Sequence, residues 1–228
     1  MKKYHFGLII AFSIVWVWSA INPVFPHDWL IENYLIFFFV PLILIFGYYF
    51  KLSKVSYTLI TLFLILHVIG SHYTYSEVPF GDTLQNWLGA ERNMYDRMVH
   101  FCFGFLLFYP VREVFMRLAK VEGFWAYLLP IDLVGSLSAI YEIVEWLAVR
   151  AVSNPAAGVA FLGSQGDIWD AQKDMLMALT GSAVAALIVI GINWYGRKNF
   201  WKEMKKSFML PRGDHMLGEE EWKKMFNK

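Results

Sequence analysis

Six long, mostly apolar stretches constrain this chain more than any motif in it. They lie at roughly 4–22, 32–50, 55–73, 95–117, 124–147 and 168–193. Crossing ~30 Å of hydrocarbon takes about 20 apolar residues. In lipid every backbone N–H and C=O needs a partner inside the protein, and a helix supplies those partners within one segment. The expected fold class is therefore all-α: a polytopic membrane helical bundle of about six transmembrane helices. Composition agrees, with 57% hydrophobic and 17% charged residues, against roughly 45–50% apolar in soluble domains. The stretches are separated by polar or turn-forming segments: "NPVFPHDW", "KLSK", "SEVPFGDTLQNWLGAERN", "AKVEG" and "SNPAAGVAFLGSQG".

The short loops orient the bundle. Lys2 and Lys3, then Lys51 and Lys54, then Arg112, Arg117 and Lys120, then Arg197, Lys198, Lys202, Lys205 and Lys206 all fall on one side of a six-helix topology. The other side carries Arg92, Arg97 and Arg150. The positive-inside rule places both termini in the cytoplasm. The start, "MKKYHFGLIIAFSIVWVWSA", has the order of a signal peptide, but Trp18 stands where cleavage needs a small residue, so it reads as an uncleaved first helix. The domain organisation is then a transmembrane domain over 1–193 and a cytoplasmic amphipathic, charged tail over 194–228. That tail is read either as lying on the inner leaflet, with Trp201 and Phe208 dipping in, or as solvated; His215 within it is given no role. The single cysteine, Cys102, excludes an internal disulfide and reads as a small buried hydrophobe. No basic patch with interleaved aromatics lies outside the spans, which excludes nucleic-acid binding.

Acids and histidines at four helix ends fall on the side opposite the lysines. The third span ends with Ser71, His72 and Tyr73, and the fourth opens with Asp96, Arg97 and His100. The fifth ends with Glu142 and Glu145, one turn beyond Ser138, and the sixth opens with Asp167, Asp170 and Asp174. The spacings i, i+3, i+4 and i+7 put each set on one helix face. The aspartate stripe continues as Ala178, Gly181 and Ala185, and small residues mark a face packed on other helices. The acids are therefore expected to point into the bundle. An acid in lipid near the helix centre would cost about 2.5–3.5 kcal/mol.

Like charges about 4 Å apart repel by about 4 kcal/mol at an effective dielectric of 20. Protonation, pairing with Arg97 or a bound cation would relieve this, and one arginine cannot neutralise five or six carboxylates. A divalent metal is the expected cofactor, with Zn, Mn or Fe favoured by mixed imidazole and carboxylate donors. Blander readings stand beside it. Asp96 and Asp167 occupy N-cap positions, Asp170 has Lys173 and Asp174 has Arg97 for pairing, and Glu142 and Glu145 suit a wet interface. His67 reads as a buried neutral histidine, and Tyr73, Trp87, Trp146 and Trp169 as an interfacial belt. The loop "YTYSEVPFGDTLQNWLGAERN" is expected to form a short interfacial helix around Trp87 and Leu88, lidding the site.

The blocks "SHYTYSEVPFGD", "RNMYDRMVHFCFGFLLFYPVRE", "SAIYEIVEW" and "GDIWDAQKDM" resemble, in order, those of the bacterial inner-membrane family typified by YjdF. The resemblance covers about 55–193. It implies a multi-pass protein of the bacterial inner (plasma) membrane and no particular reaction. Ser71, His72, Asp96 and His100 are also loosely similar to the Ser, Asp and His set of alkaline-ceramidase-like membrane hydrolases. The late paired histidines of that pattern are replaced here by Asp170 and Asp174.

The leading expectation is a metal-dependent membrane hydrolase acting on a lipid or lipid-linked substrate at the outward face. His72, His100, Asp167, Asp170 and Asp174 would hold the metal. Asp96, Arg97, Glu142 and Glu145 would be catalytic, with Asp96 or Glu142 as general base and Arg97 on an oxyanion. The alternatives are an ion- or proton-coupled transporter, which needs polar residues continuing to the cytoplasmic side, and a non-catalytic scaffold with an external binding pocket.

Overall fold

A computed structural model describes residues 2–151, 164–196, 199–209 and 219–226. The described residues are helical, in the order α1 (Lys2–Ser19), α2 (Pro26–Tyr49), α3 (Lys54–Tyr73), α4 (Pro79–Leu88), α5 (Tyr95–Arg117), α6 (Trp125–Ala151), α7 (Asp170–Gly196), α8 (Phe200–Lys206) and α9 (Glu219–Phe226). Helices α2, α3, α5, α6 and α7 are long and apolar enough to cross a membrane, and α1 is a shorter apolar helix over Lys3–Ser19. The chain is an all-α, multi-pass bundle. Arg150, Arg197, Lys198 and His215, weighed above, lie outside the residues whose side chains are described.

The helix boundaries follow the sequence reading closely, with one shift. Helix α2 begins at Pro26 rather than near residue 32. Proline suits the first helical turn because its missing N–H would have no partner there, and Asp28 adds a favourable charge to the same turn. The helix thus runs beyond the hydrophobic stretch that betrays it. The long loop after α3 does contain a short helix, α4, with Trp87 and Leu88 exposed.

The two ends of the bundle differ in chemistry. At one end the Glu113 carboxylate accepts from the Ser53 N–H at 2.9 Å and the Ser56 hydroxyl at 2.5 Å. Arg117 donates to the Lys51 carbonyl and to Glu113, both at 2.6 Å. These bonds tie the loop before α3 to α5 and gather Lys51, Lys54 and Arg117. At the other end the Val24 N–H donates to the His72 carbonyl at 3.0 Å. Asn93 donates its N–H to Gln165 Oε1 at 2.9 Å and its amide to Asp82 at 2.7 Å. Asp96, His100, Glu142, Asp170 and Asp174 all lie at this second, acid end.

Helices α5 and α7 form the closest pair. A Cβ on Gly104 would overlap the Ala178 carbonyl, and one on Gly181 would overlap the Phe101 carbonyl. Ala178, Gly181, Ser182 and Ala185 are buried along α7, so the stripe of small residues is the contact face, as its spacing implied. Close approach of small residues drives helix association where the hydrophobic effect is absent. Gly181→Leu is expected to destabilise the bundle by about 3 kcal/mol. Gly191→Leu, on the same helix with open space around it, should be neutral within about 0.5 kcal/mol. Thermal unfolding in detergent, followed by tryptophan fluorescence, checks both.

Candidate functional site

The α5–α7 contact places the first turns of both helices side by side, and Arg97 sits between them. Its Nη2 lies 2.6 Å from Asp170 Oδ1 and 3.1 Å from Asp167 Oδ2, and its Nη1 pairs with Asp174. Nη1 also donates to the Asp170 backbone carbonyl at 2.9 Å. All three spaced aspartates therefore meet one guanidinium, which is 6% exposed. Arg92 is the second cation. It pairs with Asp170, lies 3.6 Å from Asp96, and donates to the Ser164 carbonyl at 3.3 Å. Lys173 closes on Asp167 at 2.6 Å.

Asp167 lies just ahead of α7, outside the membrane span, and accepts from the Trp169 N–H at 3.1 Å. The hydrogen bond from Lys173, then that from Trp169, holds its carboxyl below the ordinary 3.8, with Arg97 adding attraction. The capping reading holds for neither residue: the N–H that Asp167 accepts belongs to Trp169, which precedes α7, and Asp96 lies inside the first turn of α5, after the N-cap residue Met94.

Behind the arginines lies a second group. One donor atom each from Asp96, His100 and Asp174 falls within 4.8 Å of the others, and this is the one such potential metal-holding group among the described residues. His100 Nε2 stands 3.7 Å from Asp96 and 3.4 Å from Glu142. Asp174 is 2% exposed, yet its Oδ1 has no hydrogen bond, and the same is true of Glu142 Oε1. Ser138 Oγ, one turn away on α6, is likewise buried and unbonded. Five carboxyl groups (Asp96, Glu142, Asp167, Asp170, Asp174) share three permanent cations (Arg92, Arg97, Lys173), an excess of two acids over cations, and among the described residues Glu142 is the one of the five whose ion pair is with His100 and none of these cations.

The structure does not bring His72 into this group. Its Nδ1 is 3.0 Å from the Ser19 carbonyl, and its ring packs on Trp18 and Tyr73 at 4.5 and 4.7 Å. The last turn of α3 faces α1, so His72 secures that contact. Glu145 belongs with a different set. It stands one turn beyond Tyr141 on α6, and the Tyr141 hydroxyl donates to Glu32 on α2 at 3.1 Å. Glu32 in turn offers its backbone carbonyl to His67 Nε2 at 3.1 Å, and the Tyr75 hydroxyl lies 2.5 Å from His67 Nδ1. A carbonyl only accepts, so Nε2 carries a proton, and the ring is buried. Burial, then the nearby Glu32 carboxyl, raises the Tyr75 phenol well above its ordinary value.

Residues 4–194 match the family described as "Predicted membrane protein (DUF2238)". The chain belongs to this family. It is 34% identical over 181 residues to the inner membrane protein YjdF of Escherichia coli (strain K12), covering 79% of this chain and 86% of that one. No solved structure matches. With its apolar helices, this places the chain in the bacterial inner membrane as a multi-pass protein.

Sequence reasoning missed Arg92, Glu32, Tyr75 and Tyr141 as members of these groups. Arg92 was visible as the i−4 neighbour of Asp96 in "RNMYD". Glu32 is an ionisable residue at the edge of an apolar span, which marks it for scrutiny. Tyr75 carried no such signal, because it returns over α3 only through left-handed backbone at Thr74 and Tyr75.

Arg97→Met should destabilise the fold by about 3–5 kcal/mol, since three partly buried carboxylates lose their shared partner. Lys173→Met, on a half-exposed side chain, should cost under about 1 kcal/mol. The depressed Asp167 carboxyl contributes stability that is complete above 3.8 and is lost as the pH falls through its lower folded value. In Lys173→Met that titration should move up toward 3.8, read from the carboxyl carbon shift by NMR.

Proposed function

We propose that the acid end holds one divalent metal ion on Asp96, His100 and Asp174, and that the chain is a metal-dependent membrane hydrolase acting on a lipid or lipid-linked substrate. The observation that carries this reading is the convergence of those three donors within 4.8 Å, together with a buried Asp174 oxygen that has no other partner. Ligands about 2.0–2.2 Å from a metal lie at most about 4.4 Å apart, so the set needs to close only slightly. One imidazole and two carboxylates suit Zn, Mn or Fe(II). Three protein ligands leave coordination open, as a catalytic rather than a structural site does.

A divalent ion there would act as a Lewis acid and lower the pKa of water toward about 7. The chain's own residues supply the rest. Glu142 stands beside His100 and is bound by neither Arg92 nor Arg97, so it is the group placed to take a proton. Arg97 is saturated by Asp167, Asp170 and Asp174. In place of the oxyanion role, it becomes the positioning residue that aims Asp174. The site lies at the ends of the spans, where lipid headgroups are found, and this favours a lipid-borne substrate.

One observation favours a second reading, a proton-coupled carrier. Glu32, a buried acid within the α2 span, accepts from the Tyr141 hydroxyl at 3.1 Å, and Glu145 stands one turn beyond Tyr141 on α6, so a second set of acids lies inside the bundle away from the Asp96–His100–Asp174 group. Against a through-path, α7 beyond Asp174 runs "MLMALTGSAVAALIVIGI" without a charge.

Metal titration of the purified protein in detergent separates the two. One equivalent of Mn or Zn should bind, with release of protons from the ligands. Asp174→Asn and His100→Ala should weaken binding at least about tenfold, and His72→Gln should leave it unchanged. A wild-type protein that binds no metal stoichiometrically would sink the hydrolase reading. Proton flux in liposomes that is lost in Glu145→Gln would favour the carrier.

A further inference from the structure

The opposite end of the molecule carries a second feature, independent of the acid end. Helix α8 is clamped to the bundle along one face. Phe200 is buried at 3% exposure among Phe108, Tyr127, Ala185 and Ala186, and Met204 packs on the same cluster. The Ser207 hydroxyl accepts the Phe124 N–H at 2.9 Å, and the Ser207 carbonyl accepts from Trp125 Nε1 at 3.0 Å. Positions 200, 204 and 207 are i, i+4 and i+7, a single helical face. Gly123 makes this docking feasible. Its φ is +58°, and a Cβ there would overlap Ser207 Oγ.

The other face is set by the same periodicity. Trp201, Lys202, Lys205, Lys206 and Met209 line a concavity of about 440 Å³ and are exposed. Its lining is mostly carbon and comes from three lysines, a tryptophan and a methionine. Glu203 is the acid on this helix, and it does not line the concavity. Three exposed lysines beside an apolar lining, on a helix fixed to the end of a membrane bundle, match a phosphodiester headgroup with its first acyl carbons. Trp201 is an amphipathic ring of the kind that settles at headgroup level, and each basic residue near an anionic surface contributes about 1 kcal/mol.

We propose that the α8 concavity is a binding site for an anionic phospholipid, with Lys202, Lys205 and Lys206 on the phosphate and Trp201 and Met209 against the start of the acyl chains. Diffuse attraction between a basic tail and a membrane would need only the lysines. A seated lipid also needs the clamp.

The test uses the full chain, purified in micelles containing equal phosphatidylglycerol and phosphatidylcholine. The lipid retained after gel filtration is read by mass spectrometry. Wild type should retain phosphatidylglycerol over phosphatidylcholine by at least about fivefold, and K202Q/K205Q/K206Q should lose that preference. K202R/K205R/K206R should keep it. Gly123→Ala, with all three lysines present but the clamp disturbed, should lose it as the glutamine variant does. A wild type without preference overturns the proposal, as does a glutamine variant that keeps it. A Gly123→Ala protein with undiminished preference overturns the seated site in favour of diffuse charge. Should the glutamine variant fail to fold, 0.5 M salt on the wild type gives the same decision. A headgroup held by charge loses most of its preference there, and an unchanged ratio rejects it.

Discussion

The close approach of α5 and α7 is the constraint on which the rest of this molecule depends. Two glycines, Gly104 and Gly181, let each backbone lie against the other's carbonyls. That contact is two to three turns from the helix starts, and it fixes their register as a lever fixes its end. Arg97 then has no choice of partners: the aspartates of α7 arrive on the face that the small residues define. A shift of one residue along either helix would turn the guanidinium away from Asp174 and leave a buried charge with no counter-ion. Packing and electrostatics therefore select the same register, which is how a sequence specifies one structure.

The charge balance at the acid end is deliberate in a physical sense. Arg92, Arg97 and Lys173 serve the outer carboxyls, Asp167 and Asp170, most fully. The inner ones, Asp96, Asp174 and Glu142, share what remains with His100. A stability-driven design would have replaced the inner carboxyls with apolar groups, since buried ion pairs seldom improve on well-packed hydrophobes. Unbonded oxygens on Asp174 and Glu142 point the same way. Buried polar atoms normally find partners, and those that do not call for a ligand, a proton or a water.

Much of this was legible before any coordinates. The six apolar stretches gave the helices. The i, i+3, i+7 spacing of Asp167, Asp170 and Asp174 gave their common face, and Ala178, Gly181 and Ala185 gave what that face packs on. What stayed hidden was rotation about helix axes far apart in sequence. His72 and His100 look equivalent in one dimension, yet the first faces α1 and the second faces α6. Spacing within a helix reports which residues share a face, but never which neighbour that face meets. The pairing of Arg92 with Asp170, unlike its nearness to Asp96, was hidden for another reason: Arg92 precedes the helix, and the contact depends on how the Asn93–Gln165 hydrogen bonds fold two loops together.

The two carboxylate groups at the acid end are joined through α6, and this bears on how the site would work. Glu142 faces His100, while its neighbour Tyr141 faces Glu32 across the bundle and Glu145 lies one turn on. Consecutive residues on a helix point about 100° apart, so α6 presents the inner site on one side and the Glu32 network on the other. The Asp96–His100–Asp174 group sits on the first side and the Glu32–Tyr141–Glu145 set on the second, so the hydrolase and carrier readings draw on different residues, and the metal separates them.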